Sequence, residues 1–136
     1  MRILVDTSIW SLALRKKDKT IEEESIVNYF TDIIRDLELV IIGPIRQEIL
    51  SGISNKIRFE DLKSKISVFE DFSIKTNDYE LAAKLYNECR SKGIQGSHID
   101  FLICAVSINN QMTILTLDKD FENFQKFISI NLEKIG

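Results

Sequence analysis

Four carboxylates in this chain sit in segments that could deliver them to one place. Asp6 closes the run Ile3-Leu4-Val5-Asp6-Thr7-Ser8, and Glu48 lies in Pro44-Ile45-Arg46-Gln47-Glu48-Ile49-Leu50. Asp100 follows Ser97-His98-Ile99, and Asp118 follows Leu115-Thr116-Leu117. Acids gathered at close range repel one another and cannot all stay ionised unless something positive offsets them. A hard divalent cation does so, and magnesium takes one or two carboxylates while keeping water and phosphate oxygens as its other ligands. With one histidine and two cysteines in the chain, the donor set favours Mg²⁺ or Mn²⁺ over zinc. Such an ion activates water and offsets the charge that develops on phosphorus oxygens, so phosphodiester hydrolysis is the indicated reaction.

Each acid also has a plainer explanation. Asp6 and Asp118 both precede helix-like segments and could cap them, while Asp120 would favour the helix dipole from the first turn. Ser97 and Asp100 have capping-box spacing, with Asp in place of Glu. Glu48 borders the stripe Ile45, Ile49 and Ile53, where a solvated acid is less expected, although surface glutamate is the commoner case. No acid is diagnostic alone; their combination carries the expectation.

The elements that must position them alternate short apolar runs with amphipathic ones, the rhythm of an α/β fold. Ile3-Leu4-Val5 reads as a first strand, followed by a helix through Trp10, Leu12 and Leu14. Ile26, Tyr29, Phe30, Ile33, Ile34 and Leu37 recur at helical spacing. The stretch LELVIIGP reads as a second strand, with Pro44 opening the next helix. Helices over Leu62 to Phe72 and Tyr79 to Arg90 follow, separated by a short apolar stretch able to pair with the sheet. After the break KGIQGSH comes an apolar helix with Ile99, Leu102, Ile103 and Val106 on one stripe. MTILTL is a strand, DKDFENFQKF a short helix, and FISINL a last strand or edge. In an open parallel sheet, Asp6 and Asp118 would leave the carboxyl ends of their strands into the crevice where ligands bind. Glu48 and Asp100 would join them from helix N-termini, where the dipole favours negative charge.

Composition narrows the field. A chain of 136 residues with 44% hydrophobic content can bury one sizeable core, so a single domain over residues 1–136 is expected. The first residues lack the apolar stretch of a signal peptide, and no run approaches the roughly 20 apolar residues of a membrane span. A cytoplasmic protein without membrane association is expected. Cys89 and Cys104 lie in helix-like segments without a second pair, which suggests neither a disulfide framework nor a zinc site. A net charge of −3 argues against nonspecific binding of bulk DNA, whose footprint is basic.

VDTSIW near the start, PIRQEIL a third of the way along, and HIDFLICAVSINNQMTILTLDKDFENF near the end together resemble the PIN-domain family, in particular toxins of the VapC type. The resemblance spans nearly the whole chain in order and is strongest at its two ends. It implies a PIN-like α/β/α sandwich with a central, mainly parallel sheet and an Mg²⁺- or Mn²⁺-dependent endoribonuclease site. On this resemblance Asp6, Glu48, Asp100 and Asp118 are the catalytic, metal-holding acids. Thr7 or Ser8, with Thr116, supply supporting hydroxyls. The pair Asp118 and Asp120 leaves the last ligand ambiguous, with Asp118 favoured as nearer the strand end. His98 departs from the family, which more often has a smaller residue there, and this bears on substrate fit. The resemblance further implies an RNA substrate with structured molecules such as tRNA to be searched first, a cognate VapB-like antitoxin, and a homodimer.

Arg46, Arg90, Lys92 and Lys119 flank the acidic segments and are candidates for RNA phosphate contacts, with solvated surface charge as the alternative. That alternative is stronger for the run Arg15, Lys16, Lys17 and Lys19. Trp10, Leu12 and Leu14 could line a groove for a partner helix, but an apolar stripe is also what docks a helix on a sheet. The main non-enzyme rival is a catalytically inactive PIN-like module that binds RNA or protein; a lost acid would mark it, and all four are present. A phosphorelay receiver would show paired acids after the first strand, and an aspartyl phosphatase a second Asp where Ser8 stands.

Overall fold

Three consecutive apolar residues, Ile3, Leu4 and Val5, suit a strand buried on both faces, as in a parallel sheet covered by helices on each side. The structure, a computed structural model, describes residues 1–135 and places these residues as β1 (Ile3–Val5), fully withdrawn from solvent. β1 is central, and β2 (Leu39–Val40) and β3 (Thr113–Leu115) flank it in the order β2-β1-β3. Both pairings are parallel, with Leu4 opposite Val40 on one side and Ile114 on the other. Single parallel bridges extend the sheet outward, Ile41 to Asp71 and Ile114 to Leu132. The FISINL segment thus touches the sheet through one bridge instead of a full strand, while on the other side the bridge falls at Asp71, inside the expected helix over Leu62 to Phe72 rather than in the stretch after it.

Helices α1 (Thr7–Arg15), α2 (Ile21–Arg35), α3 (Gly43–Leu50), α4 (Lys56–Ile66), α5 (Thr76–Ser91), α6 (His98–Asn109) and α7 (Asp120–Gln125) complete the α/β/α sandwich. The helix expected over Leu62 to Phe72 is shifted toward the N-terminus. Asn55 caps α4 by accepting the Arg58 N–H at 3.0 Å, and beyond Ile66 the Arg46 guanidinium gathers the Ile66 and Phe69 carbonyls and the Asp71 carboxylate. α6 is buried well beyond the expected stripe, since Phe101 through Ser107 are all inside. That follows from a central helix packed between the sheet and α5.

Trp10 and Leu12 belong to the core, which settles the partner-groove alternative for them. The Trp10 indole donates to the Val5 carbonyl at 3.2 Å and meets the rings of Phe30 and Phe69 edge-on. At the far end of the chain, the Glu133 carboxylate accepts the hydroxyls of Tyr29 and Thr113. Its acceptance of the Tyr29 proton raises that phenol to about 12, and the contacts tie the tail across α2 and β3.

Two helices end in the same Schellman turn with different residues at the left-handed position. After α5 the position is Gly93 (φ +77°), and Gly93 and Ile94 donate to Arg90 and Cys89. After α2 it is Leu37 (φ +60°), and Leu37 and Glu38 donate to Ile34 and Ile33. Leu37, expected on the α2 stripe, therefore lies outside the helix and is 91% exposed. Since a side chain in this conformation costs roughly 1–2 kcal/mol, Leu37→Gly is expected to stabilise the protein by about 1 kcal/mol, net of glycine's greater unfolded entropy. Urea unfolding checks this: an unchanged or lower midpoint would contradict it.

Candidate active site

β1 and β3 run parallel, so their carboxyl ends open onto one edge. Asp6 follows β1 directly and stands at the N-cap position of α1, yet its side chain makes no capping bond. Its Oδ2 instead accepts the Ser8 hydroxyl and the Thr116 hydroxyl, both at 2.8 Å. Ser8 Oγ also accepts the Leu117 N–H, and Thr116 Oγ1 accepts the Asp118 N–H, each at 3.0 Å. Two hydroxyls thus fasten the loop after β3 to the acid after β1. Asp6 is only 7% exposed.

Glu48 reaches the same edge from α3. It lies in the last turn of that helix, so the expectation that an N-terminal dipole favours its charge is corrected. Its support is the Thr7 hydroxyl, which donates to Oε1 at 2.7 Å. Both adjacent hydroxyls are therefore used, Thr7 on Glu48 and Ser8 on Asp6.

Asp100 does form the capping box that its spacing suggested: Oδ2 accepts the Ser97 N–H, and Ser97 Oγ accepts the Asp100 N–H, both at 3.0 Å. Even so, its carboxyl is pushed above the ordinary range. Burial is the main cause, and the charges of Asp6 and Asp118 add to it against the lowering effect of the Ser97 hydrogen bonds. The buried Cys104 thiol, one α6 turn on, is likewise pushed up by burial, then by Asp100, Cys89 and Asp6. Asp118 accepts the Asp120 N–H at 2.9 Å, so it too has a local structural role. Asp120 is exposed in the first turn of α7. Asp118 is the member of that pair whose charge is felt at Asp100.

Among the described residues, no lysine or arginine forms an ion pair with Asp6, Glu48, Asp100 or Asp118. The contrast is Asp78, a buried acid in α5 whose oxygens are taken by the Lys75 N–H and the Asn109 amide. Hard oxygen donors with unbalanced charge fit a divalent cation in kind. Among the described residues no three acidic, imidazole or thiol groups already form a tight cage, and a magnesium ion that keeps several waters requires none.

The basic candidates divide. Arg46 donates one N–H from each nitrogen to Asp71, Ile66 and Phe69, a structural role that leaves two of its five N–H groups for other contacts. Arg90, Lys92 and Lys119 are exposed, and Lys119 borders a cleft of about 220 Å³ that also includes Thr116 and Asp118. Of the earlier basic run, Arg15 donates to the Ile49 and Ser51 carbonyls and Lys16 pairs with Glu23.

A parallel sheet with acids collected off its carboxyl edge defines an α/β protein with an acidic crevice. The chain belongs to the PIN-domain family, whose domain matches residues 3–126. A search among curated proteins returns no match. Among solved structures, the fold is similar to that in the VapBC2 complex of Rickettsia felis bound to a promoter DNA fragment, with a TM-score of 0.78, 19% identity and 98% of each chain covered. It is also similar to FitAcB from Neisseria gonorrhoeae, at TM-score 0.77 and 16% identity over 97% of this chain and 96% of that one. DNA-bound VapBC from Salmonella typhimurium gives 0.75 and 15% over 98% and 97%.

The Asp100 environment makes a signed prediction. Its raised native value means that the folded state holds this proton more tightly than the unfolded chain, so its contribution to stability falls as pH rises out of the ordinary carboxylate range. Asp100→Asn keeps an acceptor for Ser97 and removes the charge. In EDTA, its urea midpoint should exceed that of the wild type at pH 7, with the difference shrinking toward pH 4; no difference at either pH would contradict the electrostatic crowding. Thr116→Val removes both the donor to Asp6 and the acceptor for Asp118, and is expected to destabilise by about 1–3 kcal/mol. Retention of full stability in urea would mean that the hydroxyl bridge does not hold the loop.

Proposed function

We propose that this protein is a divalent-metal-dependent endoribonuclease, the toxin of a VapBC-like toxin–antitoxin pair, acting in the cytoplasm. The observation that carries the reading is Asp6: a nearly buried carboxylate held by two hydroxyls, whose charge adds with that of Asp118 to the burial that raises Asp100, and with no ion-paired lysine or arginine on these acids among the described residues. The partner reading is supported by the likeness to structures of VapBC and FitAcB. A VapB-like antitoxin would cover the acidic crevice, and a homodimer is the proposed assembly.

Asp6, Glu48, Asp100 and Asp118 would hold Mg²⁺ or Mn²⁺, which supplies a Lewis acid that makes water nucleophilic and offsets phosphate charge. The chain's own work is orientation. Ser8 and Thr116 occupy Asp6 Oδ2, so Oδ1 is the oxygen without a protein donor among the described residues. Thr7 holds Glu48 toward the β1 end, and the Ser97 N–H fixes one oxygen of Asp100. Hydrolysis adds the oxygen of water to phosphorus, breaks one P–O bond of the strand and leaves the proton on the departing oxygen. Lys119, Arg90 and Lys92 would meet neighbouring phosphates.

Cleavage of a total-RNA pool, with structured RNAs such as tRNA examined first, is expected with Mg²⁺ or Mn²⁺ and to vanish with chelator or in Asp6→Asn. Thr116→Val, which acts on Asp6 without replacing it, should lose about 10- to 100-fold in activity. Cutting by Asp6→Asn at the wild-type rate would refute the site, and absence of both cutting and metal binding would leave a noncatalytic binding module.

A further inference from the structure

Beside the acids, an aromatic arrangement remains that the hydrolytic site does not use. His98, the exposed first residue of α6, lies on the Tyr86 ring of α5 with centroids 4.9 Å apart and planes at 15°. The Arg90 guanidinium lies 5.3 Å from the centroid of the same tyrosine. Phe101 meets Tyr86 edge-on at 5.7 Å and itself packs on Phe124 at 4.8 Å. The loop before α6 crosses those rings at Gly96, where an added Cβ would stand 2.6 Å from Phe124 Cζ and 2.9 Å from Phe101 Cε2. Core rings therefore brace the stack from beneath.

With Tyr86 against its ring, His98 also borders a mainly apolar cleft of about 220 Å³, together with Tyr79, Ala82, Ala83, Ile99 and Leu102. Among the described residues, no carboxylate lines this cleft. The exposed cations Arg90 and Lys92 sit toward the end of α5 and form no ion pair among the described residues. The occupant that this combination favours is flat and aromatic and carries negative charge beside it. Unpaired RNA bases meet that description, and proteins take them on aromatic rings and arginine planes.

We propose that the cleft receives one unpaired nucleobase of bound RNA, laid on His98 as the next layer after Tyr86, while Arg90 and Lys92 face the strand's phosphates. The assignment rests on the ribonuclease reading above, and it makes His98 a determinant of substrate choice rather than of hydrolysis. Because His98 and Asp100 share the first turn of α6, the stacked base would belong to a nucleotide near the cut. Stacking tolerates any base, so the selection is for single-stranded or looped-out character.

The test is binding of a single-stranded oligoribonucleotide containing 2-aminopurine, in EDTA so that no cutting occurs, by the wild type, His98→Ala and His98→Phe. Circular dichroism establishes that each variant folds. The wild type and His98→Phe should quench the fluorescent base with similar affinity, and His98→Ala should bind about tenfold more weakly with the quenching lost. Equal binding and quenching by His98→Ala would overturn the proposal, as would a folded His98→Phe that behaves like alanine. Sedimentation of the same proteins covers the other occupant: a change in assembly with oligonucleotide binding unaltered would give the cleft to a second copy of the chain and likewise overturn the base site. Asp6→Asn, assayed for cleavage in parallel, separates the two readings. Its loss of cutting alongside a silent His98→Ala leaves the nuclease without the platform, and His98-dependent quenching by a protein that cuts no RNA leaves the platform without the nuclease.

Discussion

Like charges held together at the edge of a buried sheet are the constraint from which the rest of this molecule follows. Asp6 cannot move away from the crevice, because the strand before it is pinned on both sides by parallel pairing and covered on both faces. Asp100 cannot move away either, because its carboxylate closes the first turn of a helix buried on nearly every side. Burial raises Asp100, and repulsion from Asp6 and Asp118 adds to it. A fold that gathers acids in this way gives up some stability to do so, and a cation bound at that place would return it.

The hydroxyls make the gathering tolerable. Thr7, Ser8 and Thr116 each place an O–H on a carboxylate, and charge-assisted hydrogen bonds of this kind are about twice as strong as neutral ones. They also connect distant parts of the chain: Thr7 ties α1 to α3, and Thr116 ties the loop after β3 to the end of β1. The site is therefore held by short links between the elements that carry its acids. The same economy governs Arg46, whose guanidinium closes the turn between α4 and the Asp71 bridge with one N–H from each nitrogen.

Much of this is legible in the sequence. The run Ile3-Leu4-Val5 announces a strand buried on both faces, and an acid directly after it has one edge on which to emerge. Capping-box spacing correctly placed Ser97 and Asp100. What pattern could not reach were the choices made by tertiary contacts. Leu37 continues the apolar spacing of α2 and yet occupies a left-handed turn, because spacing carries no record of where a helix stops. Phe69 and Phe72 continue that of α4, but Arg46 and the sheet edge claim the segment instead. Asp6 sits where a cap would sit, and only the positions of Ser8 and Thr116 reveal that its carboxylate faces elsewhere. Tyr79, Ala82, Ala83, Tyr86 and Arg90 recur at helical spacing within the helix expected over Tyr79 to Arg90, but the meeting of Tyr86 with His98 depends on how α5 and α6 pack.

The most direct measurement is calorimetric titration of Mg²⁺ into the wild-type protein and into Asp6→Asn at neutral pH, without RNA. Saturable binding to the wild type that is lost or greatly weakened in Asp6→Asn is the predicted result. Indistinguishable titrations of the two proteins, whether both bind or neither does, would contradict the claim that these acids form a cation site.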